Sequence, residues 1–177
     1  MRGSTLEQAA ADEHTDLMAT ISGLLDTAYR AAYCLAAEAS LAEELVEEAV
    51  RRASRRQNEF QARQETTHWF LRLLTRVCCE RLGLPWPAPE PRGPIRQQAR
   101  ALAAPGTVAL ERIGLTSIER ALDRLPSEDR VVTALYLVND LSYCDLSEIL
   151  EIPVESVRTR LHRGRRLLQE TLCQRVA

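Results

Sequence analysis

Lysine is absent: all 23 basic residues of the 177-residue chain are arginine. Nor is there an excess of positive charge, the formal net charge being −2. Any polyanion would therefore have to be met by a local patch, because local patches set the field a partner feels. Aromatic residues make up only 5% and glycines number seven, while leucine and alanine abound, a balance that favours an all-α chain. No apolar run is long enough to span a bilayer and no leader peptide is evident, so no membrane insertion is expected. Five cysteines (Cys34, Cys78, Cys79, Cys144 and Cys173) are an odd number without zinc-site spacing, which points to a reduced, cytoplasmic protein. The adjacent Cys78 and Cys79 read as small apolar residues of a helix rather than a redox pair. Histidines 14, 68 and 162 are scattered, and no nucleophile–base pair, metal-ligand cluster or phosphate-binding glycine loop occurs. The expectation is a protein that is not an enzyme and uses no cofactor and no metal.

What is present is concentrated between Leu125 and Leu172. Ser142 has the hydroxyl of an N-cap and Asp145, three residues on, can return the bond, so a short helix is expected there with Leu146, Ile149 and Leu150 on one side. Glu151, Ile152 and Pro153 form a turn, and proline suits the opening of the next helix. At about 100° per residue, Val154, Val157, Leu161, Gly164 and Leu168 share one face of that helix. Glu155, Thr159, His162 and Arg166 lie opposite with Arg163 beside them, while Arg158, Arg160 and Arg165 flank the two. A capped helix, a tight turn and an arginine-rich second helix make a helix-turn-helix whose second helix suits a major groove, where guanidinium groups bond phosphates or fork onto guanine.

The stretch LSYCDLSEILEIPVESVRTRLHRGRRLL resembles region 4, the promoter −35 reading module, of bacterial sigma factors of the extracytoplasmic function (ECF) group. The family pattern is close to L-S-Y-x-E-I-A-E-x-L-G-I-P-x-G-T-V-x-S-R-L-x-R-A-R. Its turn glycine is Glu151 here, and a left-handed backbone at that residue would cost about 1 kcal/mol. The resemblance implies that Glu155, Ser156, Thr159, Arg160 and Arg163 read the −35 element. Arg158, Arg165 and Arg166 would mainly neutralise phosphate, with His162 as a phosphate or groove contact.

The N-terminal half resembles the same family less tightly. Helices are expected over 16–37, 41–57 (with Ser40 as cap) and 68–82 (with Thr66 or Thr67 as cap). TAYRAAYCLAAEASLAEELVEEAVRRAS is similar to the family's L-Y-R-L-A-Y-R-L-T-G-D-x-x-x-A-E-D-L-V-Q-E-T-F-L-R-A-W, and HWFLRLLTRVCCERL to W-L-Y-R-I-A-R-N-x-x-L-D-x-L. These are region 2 stretches. The resemblance implies that Glu44, Leu45, Val46 and Glu47 face the polymerase clamp, and that Trp69, Arg72 and Arg76 approach the melted −10 strand. Departures accumulate here: Glu47 replaces a glutamine, Ser54 a tryptophan, Arg76 an asparagine and Glu80 an aspartate.

The organisation expected is two small helical bundles joined by a Pro-rich linker: a tail over 1–15, a region 2-like domain over 16–82, a linker over 83–115 and a region 4-like domain over 116–177. Four of the eight prolines fall between Pro85 and Pro91, which gives a semi-rigid tether. Trp86 among them suits a groove contact or packing on a neighbouring module. Thr116 and Ser127 would cap two helices, and Asn139 and Asp140 would end the second. As a sigma factor the chain would have as partners core RNA polymerase (β′ clamp helices and β flap), promoter DNA and an anti-sigma protein. Two alternatives stand beside that reading. One is a helix-turn-helix regulator or sigma-like adaptor without competent promoter opening, motivated by Ser54 and Arg76. The other is an interaction module using the acidic face over 43–48.

Overall fold

The computed structural model describes residues 17–56, 65–89, 121–138 and 141–173. Among these every regular element is helical. Residues 17–23, with Leu17 and Ile21 buried, lead into α1 (Leu25–Ala36). The helix stops at Ala37, whose backbone is left-handed (φ 56°, ψ 18°). The family pattern quoted above has glycine at this position.

Helix α2 (Ala39–Arg55) starts earlier than Ser40. Glu38 holds the N-cap position with extended backbone, and the Ser40 hydroxyl donates to Glu38 Oε1 at 2.7 Å. Ser40 is already the second helical residue, too far in to cap. Likewise α3 (Thr66–Leu82) takes Thr66 and Thr67 inside the helix, with Glu65 before it. It closes on Gly83 at φ 65°, and the Leu84 N–H reaches back to the Cys79 carbonyl at 2.9 Å, the bonding of a Schellman end. Phe70, Leu71, Leu74, Val77 and Cys78 are buried around most of its girth, because α3 packs on α1 and α2 on one side and on the second bundle on the other. Cys34, Cys78 and Cys79 lie in this core as free thiols; burial pushes Cys78 well above the usual thiol range and Cys79 to about 11, so neither forms a reactive thiolate.

The second bundle is α4 (Ser127–Val138), α5 (Tyr143–Leu150) and α6 (Val154–Cys173). The Pro126 carbonyl accepts from Arg130 N–H, so α4 is started by the residue before Ser127. Pro153 does the same for α6 by accepting from Val157 N–H. Helix α5 carries the expected reciprocal cap: Asp145 N–H donates to Ser142 Oγ (3.2 Å) and Ser142 N–H to Asp145 Oδ2 (2.7 Å). Glu151 then adopts the left-handed conformation (φ 57°, ψ 38°) in the glycine's place. At Gly164 α6 lies close against α4; a Cβ there would sit 2.2 Å from Thr133 Oγ1. Thr116, Asn139 and Asp140 lie outside the described residues.

The two bundles pack α1 on α4 and α3 on α5. A helix end leaves carbonyls without intrahelical donors, and three such ends meet guanidinium groups from the opposite bundle. Arg130 of α4 donates to the Leu35 carbonyl of α1, and Arg30 of α1 to the Val138 carbonyl of α4 (2.9 Å). Arg72 of α3 donates to the Glu148 and Ile149 carbonyls of α5 (2.7 and 3.2 Å). Each places a cation at the negative end of a helix dipole. Trp86 completes the seam, its Nε1 donating to the Leu150 carbonyl at 3.2 Å, so it packs between modules.

Candidate nucleic-acid interface

Helix α6 presents Glu155, Arg158, Thr159, His162 and Arg166 to solvent. Val157, Leu161, Gly164 and Leu168 are buried against α4 and α5, as the periodicity predicted. The exposed arc is dressed by its own side chains. Arg158 pairs with Glu155 (3.2 Å), Arg166 with Glu170 (3.7 Å), and the Thr159 hydroxyl donates to the Glu155 carbonyl. Such exposed pairs are worth only about 0.3–0.5 kcal/mol, so a phosphate can displace them cheaply. Arg165 stands at the edge, its Cζ 4.6 Å from the centre of the Tyr136 ring, which fixes the guanidinium at the rim of the face.

Two expected readers of the −35 element are buried. Ser156 is 5% and Arg160 only 1% exposed. The apolar stripe is wider than the sequence periodicity suggested, and it continues round to them because α4 offers a carboxylate there. Asp129, itself 1% exposed, takes Arg163 in a two-pronged bond (Nε to Oδ2, 2.9 Å; Nη2 to Oδ1, 2.7 Å). Arg160 lies 3.7 Å from the same carboxylate, pairs with Glu128 at 2.5 Å, and donates from Nη2 to the Ala88 carbonyl at 2.6 Å. A guanidinium so far from solvent is tolerated only when paired. Arg160 thus ties α6 to α4 and to the start of the linker, and Arg163 is held at the border of the face. The clue in the sequence was the Glu128–Asp129 pair, which passes for a helix-start signal.

In the N-terminal bundle Glu44 and Glu47 face solvent, and Glu44 pairs with Arg81 at 3.2 Å. Leu45 and Val46, 1% and 9% exposed, belong to the core and not to an outward face. Glu48 pairs with Arg51 and Arg52 and is held below its ordinary value chiefly by the Arg52 hydrogen bond. Trp69, Arg72 and Arg76 lie along α3 as expected, with Trp69 packed against the core. Both arginines are engaged by the other bundle: Glu151 takes Arg72 on Oε1 (3.1 Å) and Arg76 on Oε2 (2.7 Å). Arg76 also lies 5.0 Å over the Trp86 ring. His68 sits among Glu65, Asp145 and Glu148 at the same seam.

The sigma-70 region 4 family matches residues 115–168. The ECF RNA polymerase sigma factor SigW of Bacillus subtilis (strain 168) is 41% identical over 56 residues, 32% of this chain and 30% of that protein. The ECF RNA polymerase sigma factor SigE of Mycolicibacterium smegmatis is 37% identical over 57 residues, 32% of this chain and 22% of that protein. The match therefore spans less than a third of either relative. Two solved structures share the fold. The sigma factor RpoE of Bartonella quintana, in complex with the anti-sigma factor NepR, superposes with a TM-score of 0.65 over 89% of this chain and 96% of that one. CnrH, in complex with the cytosolic domain of CnrY, gives 0.68 over 93% and 95%. Both are 18% identical, a level that shows the fold. The C-terminal helix-turn-helix is thus a sigma-70 region 4 module. Over that stretch the chain is similar to ECF RNA polymerase sigma factors.

Proposed function

We propose that this protein is a sigma factor that binds core RNA polymerase and directs initiation at promoters whose −35 element is read by α6. The observation that carries the reading is the solvent-facing arc of α6 on a capped helix-turn-helix within the region 4 match. On that arc Glu155, Thr159 and His162 would meet base edges, while Arg158, Arg165 and Arg166 would neutralise phosphates, with Arg163 between the two sets. The N-terminal bundle, as a region 2-like module, would hold the polymerase clamp through Glu44 and Glu47 and meet the −10 strand through Trp69, Arg72 and Arg76. An anti-sigma partner fits the reading, since the Bartonella neighbour is bound to one. No helix among the described residues is long and apolar enough to cross a membrane.

The test mixes the purified chain with core polymerase and scores co-elution together with permanganate reactivity at the promoter upstream of its own gene. Co-elution with strand opening is expected. Co-elution without opening would leave a sigma-like adaptor, the reading favoured by Ser54 and Arg76. DNA binding without co-elution would leave a helix-turn-helix regulator.

A further inference from the structure

The arginines assigned to the −10 strand and the turn of the −35 module are bonded to each other. Arg72 spends its guanidinium on the Glu148 and Ile149 carbonyls and on Glu151, and Arg76 spends its own on Glu151 and the Trp86 ring. A DNA phosphate would have to compete for the same N–H groups with a carboxylate and two helix-end carbonyls. The geometry of the promoter sharpens the conflict. Elements named −35 and −10 lie about 25 base pairs apart, or roughly 85 Å at 3.4 Å per pair. A compact chain of this length has a radius of gyration of about 16 Å, hence a diameter near 40 Å. With α3 resting on α5, the body cannot reach both elements at once.

We propose that Glu151 is the latch that holds α3 against α5 in the free protein and so sets how readily the two modules part. The proposal rests on the promoter reading for what the parting serves, but the latch itself is a property of the isolated chain. Glu151 occupies a left-handed position where the family pattern has glycine. A glycine there would fold more easily, yet would offer Arg72 and Arg76 nothing. The carboxylate answers each arginine with one oxygen, and the three side chains are only partly exposed (24%, 49% and 48% for Arg72, Arg76 and Glu151). Binding polymerase and promoter must break these contacts, so opening is a toll on assembly that scales with the closed-to-open ratio. Two partly exposed charge-assisted contacts shift such a ratio by about tenfold.

The experiment uses the full chain, without polymerase or DNA, carrying Ser54→Cys in α2 and Cys173→Ser. Donor and acceptor dyes are placed on the introduced thiol and on Cys144, which is exposed in α5 while Cys34, Cys78 and Cys79 are buried. Single-molecule energy transfer then counts open molecules directly. High transfer should dominate in 50 mM salt. Glu151→Gln, which keeps the backbone strain, and Glu151→Gly, which relieves it, should each raise the open fraction by about tenfold. High salt should open the wild type more than either variant. An open fraction unchanged in both variants, or a wild type already open at low salt, would overturn the latch. Failure of the sigma reading would appear elsewhere, as a chain that closes and opens as described but does not co-elute with core polymerase.

Discussion

Arg160 separates two accounts of α6. If it reads a base, its loss relaxes specificity at one position and leaves the fold alone. Buried as it is, with Glu128, Asp129 and the Ala88 carbonyl around it, its loss should act on stability. Asp129→Ala is the severe perturbation, for it removes the buried carboxylate that holds Arg163 and leaves Arg160 with only Glu128 and the Ala88 carbonyl. Removing one partner of a buried ion pair costs about 3–5 kcal/mol. At roughly 2–4 °C per kcal/mol for a chain of this size, Tm should fall by about 6–20 °C. Arg160→Met keeps the volume and should cost less, since Asp129 retains Arg163. The double variant should be less destabilised than the sum of the two, by about 1–3 kcal/mol. Urea unfolding gives the energies, and binding to a set of −35 duplexes bearing single base changes gives the specificity. A stable Arg160→Met variant that discriminates less well at one base pair would refute the burial argument and restore Arg160 as a reader.

Four further outcomes are expected. Gly164→Ala should destabilise the C-terminal bundle by about 1–3 kcal/mol, because its Cβ would meet Thr133 Oγ1 at 2.2 Å, and Thr133→Ala should restore part of the loss in the double variant's Tm. Ala37→Gly should raise stability by up to about 1 kcal/mol in urea unfolding, since Ala37 holds a left-handed backbone at the end of α1. The Ser142 N–H holds the Asp145 carboxyl below its ordinary value. Its contribution is therefore full above about pH 4 and lost as pH falls through the lowered value, so Asp145→Asn should flatten urea midpoints measured from pH 6 to pH 3. Arg166→Ala should weaken binding to all duplexes alike and reduce the salt slope by about one, whereas a loss confined to one sequence would make Arg166 a base reader.

The helices, apart from their first residues, and the reciprocal cap on α5 were legible in the sequence, because each depends on residues within a few positions of one another, whereas the left-handed backbone at Glu151 was raised only by the family's turn glycine. The exposed arc of α6 was legible for the same reason. The reading roles implied by the resemblance failed at Arg160 and Ser156, both buried. A buried arginine looks like a surface arginine until its carboxylate, thirty-one residues away on α4, is known. Leu45 and Val46 failed differently. The family pattern pointed to a stretch of α2, but only residues three or four apart share a face of a helix, and these two face the core. Nothing local announced that three arginines would cap helices of the opposite bundle, since each bond joins residues between 76 and 108 positions apart.

Those long separations have a consequence during synthesis. A ribosome adding about 5–20 residues per second makes Arg30 and Leu35 some 5–20 s before their partners Val138 and Arg130, and Arg72 some 4–15 s before Glu148. For that interval the N-terminal bundle exists with its helix end and its arginines uncovered. Whatever else can bind that face meets it first on the nascent chain, before the protein's own second half arrives to compete.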